Sequence, residues 1–176
     1  EVIMNISNNW TDYECIATGD GEKLERWGNV ILNRPDPQII WNKTNNPVWN
    51  TWDGYYERSK TGGGSWHFKH KLKDYWTIKY KDLTFKVSPT NFKHTGIFPE
   101  QATNWDYIID KIKESNQKEF RVLNLFAYTG CATMAASSAG TSEVVHVDSS
   151  KGMIDWAKEN MKLSGLENNR IRFIQD

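Results

Sequence analysis

The sequence predicts an α/β fold in which the N-terminal part of a parallel sheet follows a small, aromatic-rich, mainly β domain. Two observations support this fold class. Residues 121–148 have the pattern of a strand, a helix and a second strand, which is the βαβ unit of a parallel sheet. Seven of the nine tryptophans, by contrast, stand before residue 77, among short alternating segments and turn residues. We therefore predict a β-rich domain over residues 1–91 and a cofactor-type domain over residues 92–176.

The first domain is expected to consist of short strands that end in turn residues. Residues 13–17 and 29–33 have strand composition and are followed by Gly, Asp and Pro. Residues 76–80 and 83–87 alternate apolar and polar side chains around a two-residue turn, which predicts a β-hairpin. Residues 42–65 are rich in Asn, Gly, Ser and Thr and are predicted to form one long loop.

The second domain is expected to open with a helix and to continue as alternating strands and helices. Residues 103–106 have the pattern of a capping box at the start of that helix. Residues 121–126 form a short apolar run, as expected for a strand buried on both faces of a parallel sheet. The small residues 131–139 predict a closely packed helix, and Gly140 stands where a helix commonly ends.

The strand and helix pattern then repeats. Residues 144–148 are predicted to form a second strand with Asp148 at its carboxyl end. Ser149 or Ser150 can cap the helix that follows, and Asp148 itself is an alternative cap. A third strand is expected over residues 171–176.

The turn between the first strand and the small-residue helix indicates which cofactor the unit suits. Asp148 follows Gly130 by eighteen positions, close to the spacing at which a carboxylate binds a ribose diol. A dinucleotide needs a glycine-rich turn for its pyrophosphate, whereas this turn offers one glycine. S-adenosylmethionine contains a ribose and no phosphate, so one close approach of the backbone, at Gly130 beside the methionine end, is sufficient. We predict S-adenosylmethionine and keep a dinucleotide and a purely structural βαβ unit as alternatives.

Two stretches of the second domain match signatures of a known enzyme family. One is VLNLFAYTG at 122–130, together with VHVDSSKG at 145–152. The other reads HTGIFPEQATNW at 94–105, where the family branch has KTGxFxDQRxNR. With these residues the chain resembles class I S-adenosylmethionine-dependent methyltransferases over residues 92–176. It is most similar to the branch of ribosomal RNA large-subunit cytosine-C5 and guanine methyltransferases.

The resemblance implies a Rossmann-like domain that transfers a methyl group from a sulfonium to an RNA base without a metal. It also implies that the groups acting on the base lie beyond residue 176, so we expect this chain to lack the catalytic half and assign no catalytic residue. By position, Asp148 would bind the ribose, Asp176 the adenine amino group and residues 127–130 the methionine end. The full set of expected cofactor-binding residues is Phe98, Gln101, Phe126, Ala127, Tyr128, Thr129, Gly130, Asp148, Ser149 and Asp176.

Composition and charge limit the partners. Lysine plus arginine equals aspartate plus glutamate at 22 each, so net charge favours neither nucleic acid nor an anionic membrane. Residues 66–93 nevertheless carry seven lysines interleaved with aromatic residues. That pattern suits contact with unpaired RNA, and it equally suits the solvated face of a hairpin. Two cysteines without metal-ligand spacing and no long apolar run predict a cytoplasmic protein with no membrane partner.

Several further expectations concern individual residues and the strand at 121–126. That strand is central in the resembled sheet, so its open edge should be covered by a C-terminal half of the domain or by a second copy of the chain. Cys15 and Cys131 are expected to be structural, and His146 to be a core histidine with its hydrogen bonds satisfied. Two other functions remain open, a cofactor-fold RNA-binding module without catalysis and a nicotinamide-dependent oxidoreductase.

Overall fold

The computed structural model describes residues 4–176, which form two compact units that each combine separate stretches of the chain. The α/β unit comprises the described residues of Glu1–Asn9 together with Lys79–Lys86 and Ile97–Asp176. The β unit comprises Trp10–Ile78 and Val87–Gly96. The division into domains at residues 91 and 92 stays a prediction.

The β unit is built on one five-stranded sheet. Strands β1, β2 and β3 form an antiparallel meander, β4 pairs parallel to β3, and β5 pairs antiparallel to β4. The second strand was not predicted from the sequence. The strands are β1 Tyr13–Gly19, β2 Glu22–Trp27, β3 Val30–Pro35, β4 Gly54–Arg58 and β5 Gly64–Phe68.

The prediction of one long loop over residues 42–65 is wrong. This stretch contains a 3₁₀ helix, Pro47–Asn50, strand β4 and the start of β5. Tyr56 stands opposite Trp66 in the β4–β5 ladder, and their rings lie 5.3 Å apart in an edge-on arrangement. Cross-strand aromatic pairs of this kind stabilise a ladder even when the turn that joins its strands is polar.

The core of the β unit contains a buried ion pair. The guanidinium of Arg34 donates to both carboxylate oxygens of Glu25, at 2.7 and 2.9 Å, and the Tyr13 hydroxyl donates to the same carboxylate at 2.6 Å. Burial and the charge of Glu25 raise the pKa of Tyr13 above its ordinary value. Loss of either charged partner would leave the other buried without compensation, which is strongly destabilising.

Strands β6, Trp76–Tyr80, and β7, Leu83–Val87, form the predicted hairpin. Lys81 lies at the two-residue turn with a φ of 51°, the left-handed value that such turns require. The predicted alternation of side chains is confirmed, because Ile78, Tyr80, Leu83, Phe85 and Val87 are all buried.

The α/β unit contains a three-stranded parallel sheet of order β10-β9-β8. This order confirms the predicted succession of strands and helices after residue 120. No helix within residues 4–176 is both long enough and apolar enough to cross a membrane. The elements are helix α1 Ala102–Glu114, strand β8 Arg121–Leu125, helix α2 Cys131–Ser138, strand β9 Glu143–Asp148, helix α3 Lys151–Leu163 and strand β10 Ile171–Gln175.

Strand β8 is not buried on both faces, contrary to the prediction. Val122 packs against a core cluster of Ile112, Ala136 and Val144. On the other face, the side chains of Leu123 and Leu125 are 62% and 54% exposed. The strand is hydrogen-bonded to β9 alone among the described strands, so it forms an edge of the sheet with one apolar face uncovered.

The ends of α2 and α3 match the prediction, whereas the start of α1 does not. The Ser150 hydroxyl caps α3 by accepting a hydrogen bond from the backbone N–H of Met153, and Gly140 follows the C-cap of α2 with a φ of 92°. The predicted capping box is wrong, because α1 continues a 3₁₀ turn, Pro99–Gln101, that begins at a proline. Thr103 therefore lies inside the helix and donates to the carbonyl oxygen of Glu100.

Candidate functional site

In the turn between β8 and α2, every second residue has backbone angles in the left-handed region. The φ angles of Phe126, Tyr128 and Gly130 are 52°, 54° and 82°. For a residue with a side chain this conformation costs about 1–2 kcal/mol. The backbone is thus wound like a glycine-rich loop although only one of the three residues is glycine. Strain of this kind persists where surrounding contacts fix it, and it is concentrated at ligand sites.

The strand β9 supplies two of the contacts that fix the turn. The backbone N–H of Ala127 donates to the carbonyl oxygen of Val147 at 2.9 Å. The backbone N–H of Tyr128 donates to Oδ2 of Asp148 at 2.8 Å. The carboxylate at the end of β9 therefore orders the loop.

Helix α3 supplies a third contact, through Asn160. This side chain is fully buried, and its Nδ2 donates to the carbonyl oxygen of Thr129 at 2.9 Å. Its Oδ1 accepts from the backbone N–H of Lys86 at 2.8 Å. Sequence reasoning assigned no role to Asn160. The sequence did carry a signal for this role. Asn160 is a polar residue on the apolar face of α3, four positions after Trp156 and three after Ala157.

Gly130 stands where neighbouring residues of the protein interior leave little space for a side chain. A Cβ at this position would lie 3.0 Å from Cβ of Ala157 and 3.2 Å from Cε1 of His146. We expected the missing side chain to leave space for the methionine end of the cofactor. The direction of the Cβ instead shows that the glycine lets the turn pack closely against α3 and β9.

A chain of polar side chains lies beneath the turn. Nδ2 of Asn124 donates to Oγ1 of Thr133 at 3.0 Å, and that oxygen lies 2.8 Å from Nδ1 of His146. The Thr133 hydroxyl donates to Nδ1 or accepts from it, according to the imidazole tautomer. The expectation for His146 is therefore correct for Nδ1 only, since Nε2 has no hydrogen-bond partner within residues 4–176. Burial lowers the pKa of His146 to about 4.

Asp148 ends β9, and Asp176 directly follows the adjacent strand β10. The Asp148 oxygens accept from the backbone N–H groups of Tyr128 and Ser150, both at 2.8 Å. Asp176 directly follows β10, is exposed, and donates its backbone N–H to the carbonyl oxygen of Asp148 at 3.2 Å. Each carboxylate oxygen has a second lone pair, so Asp148 can still accept hydrogen bonds from a ligand. The alternative that Asp148 caps α3 is wrong, because Ser150 is the N-cap.

Two aromatic rings extend the site from the turn. The ring of Phe98 lies 5.1 Å from that of Tyr128, and Phe98 is 39% exposed. Phe126 is 93% exposed. Phe98, Tyr128, Asp148 and Asp176 are thus connected by successive contacts.

The remaining predicted residues are less closely connected. Ser149 is exposed, and its carbonyl oxygen accepts from Nε2 of Gln175 at 3.1 Å. Gln101 is the N-cap of α1, and its Oε1 accepts from Nδ2 of Asn104 at 2.8 Å. The described contacts of Gln101 do not reach the turn.

Cys131 begins α2 directly after the turn. Its side chain is buried, and burial raises its pKa to about 12. A thiol with so high a pKa is neutral at physiological pH and is a poor nucleophile. This agrees with the structural role expected from the sequence.

The sequence profile of the S-adenosylmethionine-dependent methyltransferase family matches residues 42–176. The chain belongs to this family. The match confirms the predicted enzyme family and its cofactor, S-adenosyl-L-methionine. It also reaches 50 residues further toward the N-terminus than the resemblance at 92–176, into the β unit.

Solved and curated relatives agree with this assignment. A S-adenosylmethionine-dependent methyltransferase from Agrobacterium tumefaciens is 38% identical and superposes with a TM-score of 0.88, over 94% of this chain and 52% of that one. The α/β methyltransferase fold is thereby confirmed. Ribosomal RNA large subunit methyltransferase K/L is 41% identical in Shewanella frigidimarina and 37% in Pseudoalteromonas translucida, each over 91 residues. The chain spans about half the length of the Agrobacterium protein and 12% of the length of these two relatives.

Proposed function

We propose that the protein transfers a methyl group from S-adenosylmethionine to a base of ribosomal RNA, and that residues 98–176 hold the methyl donor. The observation that carries the donor assignment is the pair of carboxylates, Asp148 and Asp176, at the ends of adjacent parallel strands. Residues 126–130 and 148–150 contain no cation. Carboxylates with no cation beside them can accept hydrogen bonds from the hydroxyl and amino groups of adenosine. They also attract a positively charged sulfonium. They do not suit a pyrophosphate, which disfavours the nicotinamide alternative.

Each expected site residue receives a role in this proposal. Asp148 accepts hydrogen bonds from the ribose hydroxyls, and Asp176 accepts one from the adenine amino group. The backbone of residues 127–130 surrounds the methionine end, with Thr129 held by Asn160. The rings of Phe98, Phe126 and Tyr128 cover the donor, and Gln101 and Ser149 provide its outer polar contacts.

The donor supplies an electrophilic methyl group on a positively charged sulfur when it is bound. The protein residues then act by orientation and by excluding water, since in-line placement of donor and acceptor supplies much of the rate enhancement of such a transfer. None of residues 4–176 serves as the proton acceptor in this transfer.

The RNA part of the proposal rests on the curated relatives, whose name specifies ribosomal RNA. We further propose that residues 1–91 form an aromatic-rich RNA-contacting domain and that residues 92–176 belong to the donor-binding domain. The rest of the methyltransferase domain would then cover the open face of β8, with a second copy of the chain as the alternative. Action on ribosomal RNA also implies a cytoplasmic protein.

Calorimetry tests the donor assignment. We expect the protein to bind S-adenosylmethionine and S-adenosylhomocysteine and to show no heat of binding with NAD⁺ or NADP⁺. Binding of a dinucleotide in place of S-adenosylmethionine would contradict the proposal. Tritiated S-adenosylmethionine and large-subunit ribosomal RNA then test transfer by the full-length protein, and donor binding without transfer to RNA would favour the non-catalytic module.

A further inference from the structure

The β unit contains an open cleft of about 1040 Å³ outside the donor site. One wall is the β2–β3 turn, with Gly28 and Asn29. The other wall is formed by residues 71–77, which lead from β5 into β6. The cleft reaches the upper end of the size range of ligand pockets, so it can hold more than one nucleotide-sized group.

Hydrogen bonds fix both walls in place. The indole N–H of Trp76 donates to the carbonyl oxygen of Trp27 at 2.9 Å and joins one wall to the other. The backbone N–H of Gly28 donates to the carbonyl oxygen of Asp12 at 2.6 Å. Gly28 has a φ of 65°, and a Cβ there would lie 3.4 Å from Cγ2 of Ile78, so the turn lies directly against β6. The cleft is therefore preformed, which reduces the entropic cost of binding.

Two lysines on the second wall have ammonium groups without a partner. Lys71 and Lys73 are exposed, and within residues 4–176 neither ammonium forms an ion pair or a hydrogen bond. The neighbouring Lys69, by contrast, donates to the carbonyl oxygen of Asn50 and lies 4.3 Å above the ring of Trp52. Unpaired ammonium groups beside a preformed cleft suit the phosphates of a nucleic acid strand.

The cleft also carries groups that can bind a base. Tyr75, on the same wall as the lysines, is 52% exposed and offers a ring for stacking. Asn29, Asp12 and Asp74 offer amide and carboxylate groups that pair with base edges. The two aspartates balance the two lysines, so charge alone does not attract an anionic polymer here. The combination instead suits nucleotides whose base faces are free, as in single-stranded RNA.

We propose that this cleft binds an unpaired segment of the RNA substrate. Lys71 and Lys73 contact successive phosphates, and one base stacks on Tyr75 with its edge toward Asn29 and Asp12. This inference rests on the proposed function, because that function makes RNA the substrate. The sequence allowed two interpretations of the aromatic and lysine-rich segment at 66–93, RNA contact and a solvated face. The cleft now gives the RNA contact a specific surface.

Fluorescence anisotropy with a labelled single-stranded RNA of about 12 nucleotides tests the site. We expect the double variant K71Q/K73Q to bind about tenfold more weakly. The slope of log K against log[salt] should become about 1.4 less steep, because each of the two lost phosphate contacts accounts for about 0.7. The matched control is K60Q/K118Q, which removes two exposed and unpaired lysines elsewhere. It should change affinity less than twofold. Tyr75→Ala should weaken binding several-fold, whereas Tyr75→Phe should retain it.

The outcomes separate this inference from the proposed function. Equal weakening in both double variants, or equal affinity of the wild type for duplex RNA, would overturn the cleft assignment. Calorimetry with S-adenosylmethionine should give the same affinity in all variants, because none of them touches the donor site. A wild type that binds the donor and no RNA would overturn the cleft and the RNA substrate together. Binding of RNA through Lys71 and Lys73 without donor binding would support the cleft and contradict the proposed function.

Discussion

The side-chain amide of Asn160 donates a hydrogen bond to the carbonyl oxygen of Thr129 at 2.9 Å, and this bond anchors the turn after β8 to helix α3. The same side chain accepts from the backbone N–H of Lys86. One buried amide thus holds the turn after β8 and the end of the β6–β7 hairpin to the same helix.

Replacement of Asn160 by alanine should lower the free energy of unfolding by about 2–4 kcal/mol, because the buried carbonyl of Thr129 and the half-buried N–H of Lys86 each lose a hydrogen bond. Asn160→Asp retains an acceptor for Lys86 but cannot donate to Thr129, so it should weaken donor binding. Urea unfolding and calorimetry measure the two effects. Asn168→Ala, which removes an exposed asparagine after the same helix, is the control and should change neither quantity.

Asp148→Ala should weaken binding of S-adenosylmethionine by about 1–3 kcal/mol, since it removes charge-assisted hydrogen bonds to the ribose. It also removes the acceptor of the Tyr128 N–H, so the turn itself should loosen. Asp155→Ala removes an exposed carboxylate of α3 and should bind the donor normally. An unchanged affinity in a folded Asp148 variant would exclude the assigned role.

Gly130→Ala should destabilise the protein more than Gly140→Ala. Both glycines have a positive φ, 82° and 92°, so both substitutions carry the backbone penalty of about 1–2 kcal/mol. Only at Gly130 would the new Cβ meet Ala157 and His146, whereas nothing lies within 4 Å of a Cβ at Gly140. The difference between the free energies of unfolding of the two variants measures how closely the turn is packed at Gly130. Equal values would argue against close packing there.

The buried imidazole of His146 should make the protein sensitive to acid. Its pKa falls from an ordinary value of 6.5 to about 4 on folding, so the unfolded chain binds a proton in a range where the folded chain does not. Stability should therefore decline as the pH falls from 6.5 to about 4, by roughly 1–3 kcal/mol from this residue. His146→Gln should flatten that part of the curve of unfolding free energy against pH. A curve of unchanged slope would mean that another group is responsible.

Local sequence patterns predicted the elements whose residues contact near neighbours in the chain. The hairpin at 76–87, helix α2 with Gly140 at its end and the Ser150 cap of α3 belong to this group. Strands β4 and β5 were missed, because β4 pairs with the distant β3 and the composition of residues 42–65 is dominated by the turns around them. The uncovered face of β8 was missed because its apolar run looks the same whether or not a layer covers it.

The site was predicted in part, for the same physical reason. The Asp148 carboxylate could be located from its spacing to Gly130, which reflects the fixed geometry of a βαβ unit. Its bond to the Tyr128 N–H could not, because that bond depends on left-handed backbone at two non-glycine residues. Asn160 was missed because its partners, Thr129 and Lys86, lie 31 and 74 positions away in the chain.

The interleaved chain path of the α/β unit sets an order of events during synthesis. Residues 79–86 leave the ribosome before α3 and its C-cap, whose Asn160 and Ser164 bind the backbone of those residues. At 5–20 residues per second, the interval between Lys86 and Asn160 lasts roughly 4–15 s. During that time the backbone groups of this hairpin end are hydrogen-bonded to water or form temporary contacts. A nascent chain stalled before α3 should therefore expose this end to proteases, and a cut there would separate the hairpin from the helix that binds it.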